Sequence, residues 1–317
     1  MDTLYFIVQQ MMYFIIPLTI VALGGMFSER SGVSNIALDG TMIVGAFFGT
    51  LFINLTQDKW SGQSQLLAAI LIAGIVGVLF MLFHAFASIN LNAAQLISAI
   101  SLNLIAPALT VFMARVIFGY QRIPFKNTFL IKKVPILGDI PVIGNMFFQN
   151  TYITIAIGII ILIASSVLLY KTRFGLRLRA CGEHPEAADS VGINVRALRY
   201  WGVLISGFLA GIGGIIFIVP TTNTYSCNVA GYGFLAIAVL VFGQWRPKKI
   251  FLAAIAFGLA KTISSAYSGI SFLAALGWSP YIYKIIPYAF TILMLIISSR
   301  NPQAPRAAGK PYLKGGA

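Results

Sequence analysis

Nine stretches of this chain are apolar over most of their length: residues 5–27, 33–54, 66–87, 93–118, 152–170, 198–219, 232–242, 250–267 and 281–299. Most are close to the ~20 residues that an α-helix needs to cross about 30 Å of hydrocarbon. In lipid every backbone amide must be satisfied within its own segment, so such runs fold as helices. The expected fold is an all-α polytopic membrane protein with about nine transmembrane helices, eight to ten at the limits. Composition agrees. Of the 317 residues 58% are hydrophobic and only 9% charged, against about 25% charged in a soluble domain. Mean hydropathy is +0.87. The chain starts Met1-Asp2 without a basic leader, so no cleavable signal peptide is expected.

The whole chain, 1–317, reads as a single transmembrane domain. Three polar segments punctuate it: a loop at 119–150 with three prolines, a strongly charged loop at 171–196 and a tail at 300–317. With 171–196 in the cytoplasm and alternation outward, fourteen lysines and arginines fall inside and five outside. That bias places the N-terminus outside and the C-terminus in the cytoplasm of a multi-pass protein of the cell membrane. The same bias explains the net charge of +14. No basic patch interleaved with aromatics sits on a soluble domain, so no nucleic-acid partner is expected; membrane lipid is. On this topology Cys181 and Cys227 lie on opposite sides and cannot bridge. The first four spans would start outside and the last four inside, with the fifth as connector, which is the layout of two inverted repeats. The glycine-rich second member of each half, 32–49 and 231–243, marks the expected passage.

The charged loop carries the most specific local pattern. Four basic residues, Lys171, Arg173, Arg177 and Arg179, precede a short helical piece at 183–192. Glu186, Ala187, Ala188 and Gly192 fit E-A-A-x-x-x-G. Alanines keep a helix slim enough to lie in a groove, Pro185 suits its first turn, and Gly192 can end it at positive φ. A solvated loop helix would look similar; its place between two spans favours docking. Within the spans, Asp39 is the only acidic residue. A carboxylate at depth is costly and hence a functional candidate, although it could equally bond amides freed by the neighbouring glycines. Asn35 and Asn103 join it as candidates for the substrate pathway; such an Asn often ties two helices together instead. Lys261 could snorkel or pair with Asp39. His84 is expected at the interface. No G-x-x-x-x-G-K-[ST] is present, nor a Ser/His/Asp or metal cluster, so the chain is expected to be neither an ATPase nor another enzyme and to hold no cofactor. A secondary transporter would need an ion-coupling site, and one intramembrane Asp is meagre support for that.

The segment GLRLRACGEHPEAADSVGIN resembles the cytoplasmic coupling loop of ATP-binding-cassette importer permeases of the ribose, branched-chain amino acid and nucleoside group. SERSGVSNIALDGTMIVGAF is similar to the group's N-terminal pattern N-I-G-x-E-G-x-M-x-x-G-A-F. Asn35, Ile36, Gly40, Met42, Gly45, Ala46 and Phe47 match it; Ala37 replaces a glycine and Asp39 a glutamate. KKVPILGDIPVIGNMFFQN is similar to the external loop of the nucleoside members, and the shorter permease of bacterial nucleoside importers is the nearest likeness. The I-x-L-P that follows the glycine in maltose-type permeases is missing from Trp201–Ser206, so the vitamin-B12/ribose type of architecture is expected. The resemblance implies a permease subunit that passes nucleosides, or else ribose, simple sugars or branched-chain amino acids. It also implies a separate ATPase that binds ATP and Mg, a second, related permease and an external substrate-binding lipoprotein. Glu183, Pro185, Glu186, Ala187, Ala188 and Gly192 would couple to the ATPase.

Overall fold

The structure, a computed structural model, describes residues 2–135, 137–269, 271–298 and 303–312. Its helices are α1 (Asp2–Arg30), α2 (Leu38–Thr56), α3 (Gln63–Ala85), α4 (Gln95–Phe118), α5 (Ile153–Lys171), α6 (Arg173–Glu183), α7 (Pro185–Ser190), α8 (Val195–Thr221), α9 (Tyr232–Phe242), α10 (Pro247–Ala266), α11 (Ser271–Ala275) and α12 (Pro280–Ser298). Seven of the described helices are long and apolar enough to cross a membrane: α1 to α5, α8 and α10. The expected count of nine is therefore not established. α9 has only 11 residues, about 16 Å of rise, and the expected ninth span, 281–299, runs past the described residues. Arg300 and Lys314, counted above on the cytoplasmic side, also lie outside them, and the tail is described only over 303–312.

α8 is the most enclosed of the seven, packed on α1, α2 and α3, while α4 and α5 keep most of their surface open. Lipid tails are as apolar as leucine, so close backbone approach holds such helices together. Gly211 of α8 shows this: a Cβ there would lie 2.2 Å from the Ala73 carbonyl oxygen of α3. From α2, a Cβ on Gly45 would fall 2.5 Å from the Cα of the same Gly211. Buried hydroxyls use the other device open to them in lipid. Thr41, Thr50, Thr110 and Thr262 each donate to the carbonyl one turn back.

Two groups of loops gather at opposite ends of the helices. At one end lies the segment 119–150, with strands β1 (Ile123–Pro124), β2 (Ile131–Lys133) and β3 (Gln149–Thr151). β1 pairs antiparallel with β4 (Thr224–Tyr225), which follows α8, and β2 pairs with β3. Asn127 donates to the carbonyl of Val219, and Tyr13 to that of Asn150, so this cap also ties α8 and α1. At the other end the last turn of α1, α6, α7, the α9–α10 turn and the described part of the tail come together.

Candidate functional site: a docking face tied to a buried polar junction

Thr172 lies in extended backbone between α5 and α6, and its Oγ1 accepts the Gly175 amide at 3.1 Å. This cap turns the chain sharply, so α6 leaves the line of the span. α6 is amphipathic: Gly175, Leu178, Cys181 and Gly182 are buried, while Arg173 and Arg177 stay exposed. α6 ends at Glu183, so Glu183 belongs to this helix and not to the short helix expected over 183–192. His184 intervenes, and α7 begins with Pro185 at its first position. Pro185 and Ala188 face inward, Ala188 against Cys181, Val195 and Tyr312. Glu186, Ala187 and Ser190 face outward. Gly192, at φ +81, lets the chain reverse into α8, and the side chain of Asn194 caps α8 by accepting the Ala197 amide. Val191 is 74% exposed. A β-branched apolar side chain held out at the tip of a polar loop was not singled out from the sequence; its position beside Gly192 was the available signal.

The expected coupling residues thus split into two sets. Pro185 and Ala188 anchor α7, whereas Glu186, Ala187 and Gly192 form its outward face. Glu183 does neither: its carboxylate accepts from Arg30 Nη1 at 3.3 Å. Arg30, the last residue of α1, also donates through Nη2 to the Trp245 carbonyl at 3.3 Å. The Trp245 indole N–H bonds the Glu29 carboxylate. Three turns far apart in sequence are therefore clamped at one point. The tail adds a further layer. The Ala307 amide donates to the Gly182 carbonyl at 2.9 Å, and Arg199 Nη1 to the Lys310 carbonyl at 3.1 Å. The Arg199 guanidinium is 5.6 Å from the centre of the Tyr312 ring, and its side chain is 1% exposed. Burial pushes the Cys181 thiol up to about 11, against a smaller opposing effect of Arg199. Neither Cys181 nor Cys227 is in a disulfide.

Asn35, Asp39 and Asn103 meet at the start of α2, deep among the helices. The residue before α2, Ala37, supplies no side-chain cap. Asn103 of α4 does so from outside: its Oδ1 accepts the Gly40 amide at 2.8 Å, and its Nδ2 donates to the Ile36 carbonyl at 2.9 Å. Asn35 accepts the Ala37 amide at 2.9 Å and donates to Ser206 of α8 at 2.8 Å. Asp39, 7% exposed, accepts the Gly233 amide of α9 at 2.8 Å. Gly233 leaves room for this contact, since a Cβ there would sit 2.3 Å from the Asp39 backbone. The starts of α2 and α9 therefore face each other, and one carboxylate lies between two helix N-termini, where negative charge is favoured. Among the described residues Asp39 makes no ion pair with Lys261. His84 is fully buried in the protein, with Ser34 and Ser98 as partners for its two ring nitrogens at 3.1 Å.

The geometry is that of a polytopic helical protein with a short, partly outward-facing loop helix and no group of three or more metal-ligating side chains among the described residues. The chain is 39% identical to the nucleoside ABC transporter permease protein NupC of Lactococcus lactis, over 99% of this chain and 98% of that one. It is 42% identical to the guanosine ABC transporter permease protein NupQ of Bacillus subtilis, over 94% and 93%. It is 30% identical to the putative glucose ABC transporter permease protein TsgC13 of Haloferax volcanii, over 92% and 91%. The family profile described as "Branched-chain amino acid transport system / permease component" matches residues 7–296, nearly the whole helical body. The chain belongs to this family of transport-system permeases.

Proposed function

We propose that this chain is a permease subunit of an ATP-binding-cassette importer that passes nucleosides across the cell membrane. One observation carries the docking part of this reading: α7 is anchored by Pro185 and Ala188 while Glu186, Ala187, Val191 and Gly192 face outward. That arrangement suits a separate ATPase subunit gripping the loop in the cytoplasm, with the N-terminus of the chain outside and the C-terminus inside. The gathering of Arg30, α6, the Trp245 turn and the tail at one end supports this orientation. The nucleoside assignment is supported by full-length likeness to two permeases named for nucleosides, at higher identity than the one named for glucose. A second, related permease and an external binding lipoprotein complete the proposed importer.

Asn35, Asp39 and Asn103 border the passage as the frame that sets where α2 and α9 begin. α9 runs from this junction at Gly233 to the turn at Trp245, which Arg30 links to Glu183. Motion of α7 passed on through α6 and Glu183 would thus reach the junction along α9. ATP-driven closure shifts outward to inward access only as far as the ATPase binds the two states differently.

The test is uptake of radiolabelled uridine and guanosine in cells with and without the gene, with unlabelled ribose and leucine as competitors. Loss of nucleoside uptake, uncompeted by either, is the expected result. Unchanged nucleoside uptake with loss of ribose or leucine uptake would overturn the substrate and keep the architecture.

A further inference from the structure

A cavity of about 600 Å³ opens where the end of α5 and the start of α10 meet the last residue of α1. Its lining contains six cations, Arg30, Lys171, Arg179, Arg246, Lys248 and Lys249, and no carboxylate. One acid stands close by, Glu183, and it is engaged by Arg30 Nη1. The Nε–H groups of Arg30 and Arg179 are buried without a hydrogen-bond partner. α10 also starts here, with Pro247 at its first position and no side-chain cap from Arg246. The partial positive charge of a 20-residue helix therefore adds to the six cations. So many like charges around one cavity repel unless an anion sits among them.

The surroundings indicate what carries that anion. Ser166 and Tyr170 of α5 line the cavity, and the same face of α5 continues away from it as exposed Ile163 and Ile159. From Lys248 the same face of α10 continues as exposed Leu252 and Leu259. A phosphate with acyl chains would use both features, whereas a free phosphate would use only the first. We propose that this cavity binds the headgroup of an anionic phospholipid of the cytoplasmic leaflet, with its chains along α5 and α10. Basic pockets between helices on that side suit such headgroups.

The experiment uses the purified full-length chain in mixed micelles of phosphatidylglycerol or phosphatidylcholine, with retained lipid read by native mass spectrometry. Inorganic phosphate and chain-free glycerophosphoglycerol serve as competitors. Wild type is expected to retain phosphatidylglycerol over phosphatidylcholine. Lys248→Gln with Lys249→Gln is expected to weaken retention about fivefold for each lysine removed, and the paired Lys→Arg variant to preserve it. Equal retention of the two lipids, or undiminished retention by a Gln pair that melts like wild type, overturns the site. Displacement of the lipid by millimolar inorganic phosphate makes it a free-anion site and overturns the lipid assignment.

Discussion

Asp39 ties the start of α9 to α2 by accepting the Gly233 amide, while Asn103 and Asn35 satisfy the amides at the start of α2. Asp39→Asn keeps an oxygen for the Gly233 amide but removes the charge that favours two facing N-termini, which is worth about 1 kcal/mol. Asp39→Ala leaves a buried amide unpaired and should cost about 1–3 kcal/mol. Uptake by Asp39→Asn is expected to fall further than its folding yield; thermal unfolding in detergent measured beside uptake decides, and parallel losses would leave a structural role alone. A second residue-scale prediction concerns Cys181. A thiol raised to about 11 is protonated at pH 8, so its reactive thiolate is scarce until the pH nears 11. In a Cys227→Ser background, maleimide should label Cys181 more than a hundredfold more slowly than a free thiol at pH 8. Labelling at an ordinary rate would mean that α6 leaves its packing against Tyr312 and Val195.

Among the elements, α7 has the sharpest division between anchor and face. Glu186→Lys, or Gly192 replaced by Val, should reduce uptake more than tenfold while membrane insertion stays normal. The Val substitution carries an added ~1–2 kcal/mol from left-handed backbone. Coupled ATPase activity unchanged in both variants would sink the docking role of α7. The spans themselves were legible because lipid selects on composition alone, and runs of leucine, isoleucine and phenylalanine need no partner to declare themselves. α9 was legible as a short helix bracketed by Gly231 and Gly243, yet it was counted among the nine spans although 11 residues rise only about 16 Å. The site was legible only in part. Glu186, Ala187 and Gly192 lie in one local motif and could be read together. Glu183 stands three residues before that motif, yet its partner Arg30 is 153 residues away, and an ion pair at that separation leaves no periodic trace. The partners of His84 were hidden for the same reason, because they come from residues 34 and 98.

In the whole molecule, one end is a cap of short strands and the other a clamp of turns, with α8 running between them. The tail belongs to the clamp although its sequence is polar and unpatterned. Deleting the chain from residue 303 removes the Ala307–Gly182 and Arg199–Lys310 bonds. It removes the carbonyl partner and the ring of the Arg199 guanidinium, at a cost of about 1.5–3 kcal/mol for the charge-assisted bond. A melting temperature lowered by several degrees, with faster Cys181 labelling, is expected; an unchanged melting curve would mean that the tail only rests on the surface. The clamp also has a consequence for how the protein is made. Arg30 leaves the ribosome 153 residues before Glu183 and 215 before Trp245, and Ala307 follows later still. The first span therefore enters the membrane with the cation at its end unmatched and waits through most of translation for its partners. The face that would receive the ATPase is finished last, so a nascent or prematurely terminated chain can be fully inserted and still have no completed surface for the motor to hold.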